Sequence, residues 1–133
     1  MSLLAAVLFG TVAGLRVFTA EAVYFGLRGG VLRIVFPILA LWEYFADTTS
    51  WIPARTTLPS LTLRLISGAS MGWIVARVPG IPLGIAGALL GTFAGYRFRL
   101  RVIATIGGIR AAIVEDAVAI AIAFVAVALS KTT

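Results

Sequence analysis

A membrane-embedded, all-α bundle of about five transmembrane helices is the fold this sequence predicts. Three observations predict it. Of the residues, 61% are hydrophobic and only 12% charged, the apolar residues fall into five runs, and most of the charged residues stand at the ends of those runs. Ordinary soluble domains carry roughly 25% charged residues. Burying five apolar segments in a water-soluble core would need other helices with polar faces, and no segment here is half polar. The 133 residues contain no Ser/Pro-rich linker or low-complexity tract, so residues 1–133 read as one transmembrane domain.

The first run covers 3–27. Its opening, Leu3 to Phe9, has the character of the apolar part of a signal peptide, but no Lys or Arg precedes it and the run continues past Arg16, so it reads as the first span. Arg16 and Glu21 lie deep inside it. Five residues apart on one helix, they diverge by about 140°, and each needs a partner on another helix or subunit. The second run, 31–46, is short and ends at Glu43 and Asp47, which are four residues apart and share a helical face.

Residues 43–60 form the longest polar stretch, with hydroxyls at Thr48, Thr49, Ser50, Thr56, Thr57 and Ser60, and with Pro53 and Pro59 bracketing a stiff, non-helical turn. Arg55, Thr56 and Arg64, the last one turn into the third run (61–78), suit an anion such as a phosphate headgroup. The fourth run, 81–96, is also short, and the fifth, 109–129, carries Glu115 and Asp116 near its start.

One phrase is stated twice. Gly10-Thr-Val-Ala-Gly-Leu-Arg16 returns as Gly91-Thr-Phe-Ala-Gly-Tyr-Arg97. With five spans the copies fall on the first and fourth helices and run in opposite directions, a partial inverted repeat of the kind that recurs in secondary transporters. The other reading is a duplication that made a stable bundle. The glycines explain the phrase physically. Gly10 and Gly14, Gly68 and Gly72, and Gly87, Gly91 and Gly95 recur at helical spacing, and such small-residue faces let helix backbones approach closely in lipid, within a chain or between copies.

The chain has no cysteine and no histidine. That excludes disulfides, thiol nucleophiles, thiolate metal sites and the commonest general base. No cofactor is expected, no metal ligand set is identified, and an enzyme is the less favoured reading. The net charge of +6 comes from arginines at span ends, where they anchor to lipid headgroups and set orientation, so nucleic acid is not an expected partner. On the five-span reading, six Arg stand on one side against four basic residues on the other. This bias places the amino terminus and the Arg97-Phe-Arg-Leu-Arg101 loop in the cytoplasm of a multi-pass protein of the bacterial inner membrane.

Carboxylates inside a membrane are costly and usually pair, coordinate ions or relay protons. Glu43, Asp47, Glu115 and Asp116 fall on one side of the five-span bundle and are the expected cation or proton ligands, with Arg16, Arg64, Arg97 and Arg110 as balancing charges. The expected function is therefore a small transporter or channel-like protein. The alternatives are a lipid-headgroup or phosphate-binding protein, flippase or enzyme, built on Arg55, Thr56 and Arg64, or a structural membrane scaffold. A bundle this small encloses little volume, so a homodimer or larger homo-oligomer in the lipid bilayer is expected.

The motifs also resemble a family. Glu43-x-x-x-Asp47, then Pro53-x-Arg55-Thr56 with Pro59, Arg64-Leu-Ile-Ser-Gly-Ala69, Gly91-x-x-Ala-Gly-Tyr96 and Glu115-Asp-Ala-x-Ala-Ile120, preceded by Ala13-Gly-Leu-Arg16, are similar in order and spacing to a bacterial family of small polytopic integral membrane proteins catalogued as a domain of unknown function. The chain departs from that pattern at Thr48, where the family often has lysine, and at Pro59, one place nearer. The resemblance implies a polytopic inner-membrane protein and no particular activity.

Overall fold

The computed structural model describes residues 1–47 and 57–131, with the side chains of all but Ala46 and Asp47. The described chain is helical throughout, without a strand among the described residues: α1 (Ser2–Leu15), α2 (Thr19–Gly26), α3 (Leu32–Asp47), α4 (Leu58–Ile106) and α5 (Gly108–Lys131). Two of these, α4 and α5, are long and apolar enough to cross a membrane, and α1 is apolar but shorter. Five spanning helices are thus not what the helix lengths show.

The first expected span is two helices. α1 stops at Leu15, Arg16 is extended (φ −143°, ψ 121°), and α2 starts only at Thr19. The chain folds back there, because Phe9 of α1 meets Tyr24 of α2 edge-on at 5.8 Å. α3 reverses again along α2, with Phe25 stacked on Phe36 at 5.3 Å near one end and Thr19 hydrogen-bonded to Tyr44 at 2.6 Å near the other.

α4 is likewise two limbs, 58–76 and 78–106, joined at Arg77, whose φ of 58° breaks the helix. A left-handed arginine is uncommon. Here the limbs close directly on each other, with the Gly72 and Gly80 backbones in contact and Gly84 against the carbonyl of Gly68. Pro79 follows in the first turn of the returning limb, where a missing N–H costs no helical hydrogen bond. The hairpin between α4 and α5 turns at Gly107, whose φ of 89° suits glycine.

α1 lies against the returning limb of α4 in parallel. Gly10 meets Gly84 and Gly14 meets Ala88, while Gly87 abuts Val7 and Gly91 abuts Thr11. The two copies of the repeated phrase therefore run the same way, which corrects the expected inversion. The physical reason is the break at Arg16: it adds a reversal, so four turns of direction separate α1 from the 78–106 limb. The glycine faces at Gly10, Gly14, Gly68, Gly72, Gly87 and Gly91 close on one another within one chain. Gly95 is buried as well.

The apolar core is thin. Phe9, Val12, Tyr24 and Met71 pack with an alanine ridge of α5, Ala119, Ala123 and Ala126. Large apolar side chains face outward instead, among them Leu41, Trp42 and Phe45 of α3 and Phe124 and Val125 of α5. Beside the glycines and the apolar cluster, the interior holds polar side chains, Arg16, Glu21, Glu43, Arg64 and Glu115 among them.

Candidate functional site: a polar core at the broken helix

A helix interrupted inside an apolar protein leaves backbone groups that need partners. Around 14–18, two amides and two carbonyls are met by side chains from other helices. The Glu43 carboxylate of α3 accepts the Val17 N–H at 2.8 Å and the Phe18 N–H at 3.0 Å, one oxygen to each. Arg64 of α4 donates through Nη1 to the Gly14 carbonyl at 2.6 Å, and the Ser67 hydroxyl, whose one hydrogen serves two competing acceptors, lies 2.9 Å from the Val17 carbonyl and in contact with the Glu21 carboxylate. Thr92 of the returning limb donates to Ala88 and lies 3.4 Å from the Gly14 carbonyl. The positive end of α2 thus rests on a carboxylate, the usual occupant of a helix N-terminus.

Around this break stand further charges. Arg16, 1% exposed, pairs through Nε with Asp116 at 2.6 Å and lies over the Tyr44 ring at 5.2 Å. Glu115, 2% exposed, faces Arg99 at 3.6 Å. Arg64 and Arg16 are the cations whose field reaches Glu43. Opposite charges desolvated together in this way are strongly coupled, and removing one member strands the other.

The expected site residues therefore have unequal roles. Glu43, Arg16, Arg64, Glu115 and Asp116 converge on the break, but as partners of backbone and arginines. Arg97 and Arg110 are exposed and make no ion pair among the described residues, while Arg99 takes the place beside Glu115. Arg55 and Thr56, and the side chain of Asp47, lie outside the described residues. Arg64 donates to the Gly14 carbonyl, while Arg55 and Thr56, the other residues of the headgroup reading, lie outside the described residues. Among the described residues no group of three potential ligands comes together to hold a metal.

One buried carboxylate falls outside the expected set. Glu21, 7% exposed, contacts the Ser67 hydroxyl through Oε1, while its Oε2 is buried without a hydrogen-bond partner and no cation pairs with it among the described residues. Its sequence signal was its depth in the first apolar run and its place in the first turn of α2, where acidic residues favour a helix start.

No protein-family model, curated protein or solved structure matches the chain. The geometry itself defines the class: a small all-helical protein with an apolar exterior and a polar core built round a broken helix.

Proposed function

We propose that this is a small polytopic membrane protein, about six helical segments across or partly across the bilayer, that exchanges a proton or small cation through the polar core at the α1–α2 break. The observation that supports it is the break itself. Non-helical backbone at membrane depth is tolerated where protein or a cavity satisfies it, and discontinuous helices are the usual sites of substrate and ion binding in secondary transporters. Exposed Leu41, Trp42, Phe45, Phe124 and Val125 suit lipid.

Within that core the exchanging group is Glu21. Glu43, Asp116 and Glu115 are each engaged by backbone amides or arginines. Glu21 has a hydroxyl partner and, among the described residues, no cation. A carboxyl so placed takes up and releases a proton or a cation without breaking the scaffold round it. By the excess of arginine in cytoplasmic segments, the end carrying Arg97, Arg99, Arg101 and Arg110 faces the cytoplasm. The glycine faces being used within the chain, a second copy would dock elsewhere on the apolar exterior.

The test is proton flux into liposomes driven by a potassium diffusion potential and read by an enclosed pH dye. Wild type should exceed protein-free liposomes, and Glu21→Gln should return flux to that baseline while eluting as the same species with an unchanged melting temperature. Wild-type flux equal to the baseline, or full flux in the variant, would overturn the reading.

A further inference from the structure

The cleft that Glu21 lines has a distinct character. It is about 330 Å³ in volume and lies between α2, α3 and the 58–76 limb of α4. Phe18, Phe25 and Phe36 form part of its wall, with Leu63 and Ile74 opposite, and its polar groups are Glu21, Ser67 and Ser70. The rings of Phe25 and Phe36 are stacked, with centroids 5.3 Å apart. The volume is at the small end of ligand sites.

The charges round Glu21 set what such a cleft accepts. From α3 the charged group in its field is Glu43. The two buried cations of neighbouring segments are engaged elsewhere, Arg16 with Asp116 and Arg64 with the Gly14 carbonyl. The 58–76 limb offers Glu21 the Ser67 hydroxyl. A carboxylate unpaired among the described residues, 7% exposed, with a buried and unpartnered oxygen, is complementary to a positive charge. Phenyl faces attract a cation too, most strongly when it is desolvated. Anions are refused by Glu21 and Glu43 together, and a bare inorganic cation would leave the apolar walls unused.

Resting on the exchange reading above, we infer that this cleft binds a small lipophilic cation, of the alkyl- or arylammonium class, whose charge replaces a proton on Glu21. The exchange balances: one monovalent cation enters as one proton leaves the carboxyl, and the net charge of the site is unchanged. Binding therefore weakens as the pH falls, since one carboxylate cannot hold both.

Benzyltrimethylammonium is the probe, because its charge is independent of pH, and its uncharged carbon analogue (2,2-dimethylpropyl)benzene is the control. Calorimetry on the purified full chain in detergent should show saturable binding of the cation, weaker at pH 5.5 than at pH 8.5. Glu21→Gln should weaken it roughly tenfold or more, equivalent to at least about 1.4 kcal/mol. Phe36→Leu, which keeps an apolar wall but removes a ring, should weaken it by a smaller factor and leave the protein folded. Equal binding of the neutral analogue, or undiminished binding in Glu21→Gln, would overturn the assignment. So would absence of binding in wild type that still shows Glu21-dependent proton flux, which leaves the proton reading standing. Glu21-dependent binding in a protein without flux would uphold the cleft and overturn the exchange reading.

Discussion

Glu43 shows how one residue can be legible in type and illegible in role. Its place among apolar residues marks it as an interior carboxylate, and it is one. A sequence does not say which acceptor a buried carboxylate will find, and Glu43 finds the amides of Val17 and Phe18, across a loop closure of 26 residues. Glu43→Gln keeps the shape but exchanges one acceptor oxygen for an amide NH2 that confronts a backbone N–H. Hydrogen bonds to charged groups contribute about 1.5–3 kcal/mol each, so a loss of that order, seen as a lower melting temperature in detergent, is the expected outcome. An unchanged melting temperature would show that the carboxylate does not hold the break. Glu21 escaped the expected site for a related reason: what distinguishes it is the lack of a cation among the described residues, and that depends on where Arg16 and Arg64 end up.

At the scale of elements, the helical content and the close-packing glycine faces were readable, because small residues at helical spacing have few other uses in an apolar chain. The division of the first run was not. Residues 3–27 are apolar enough for one span, and the break is imposed by long-range partners, Glu43, Arg64 and Ser67, that local propensity does not contain. The turn at Arg77 was legible as the gap between the third run, ending at 78, and the fourth, starting at 81, where Pro79, Gly80 and Pro82 cluster, although the left-handed arginine itself was not. The close approach of α1 to the returning limb of α4 gives a sharp contrast between glycines. A methyl at Gly10 would strike the Gly84 backbone, whereas one at Gly26 meets nothing within 4 Å. Gly10→Ala should destabilise by about 1–3 kcal/mol, the range for overpacked cores. Gly26→Ala should be neutral or stabilising by up to about 1 kcal/mol. Equal melting temperatures for the two variants would contradict the packing described.

At the scale of the whole molecule, the extra reversal changes which ends of the chain lie together. The 27–31 connection, the Arg77 turn and Lys131 share one end of the bundle with the amino terminus, and the Gly107 turn lies at the other. The amino terminus therefore stands away from Arg97-Phe-Arg-Leu-Arg101, where a five-span count had put it on the same side. The chain has no cysteine, so single substitutions test this directly. In oriented vesicles, Arg28→Cys and Lys131→Cys should react with an impermeant maleimide from one side and Gly107→Cys from the other. Reaction of Gly107→Cys on the same side as Lys131→Cys would refute the arrangement.

The break at Arg16 also bears on the order in which the protein is made. A ribosome delivers residues 2–27 as an apolar stretch long enough to enter a bilayer straight. At that moment the amides of Val17 and Phe18 have no acceptor, for Glu43 is 26 residues behind, and the Gly14 carbonyl waits for Arg64, 50 residues behind. An unsatisfied backbone group in hydrocarbon costs several kcal/mol, so, on the membrane reading proposed above, α1 and α2 are expected to stay one continuous helix until those side chains arrive. On that reading the fold-back is a late, post-insertion event, and the growing chain passes through a topology that the finished protein does not keep.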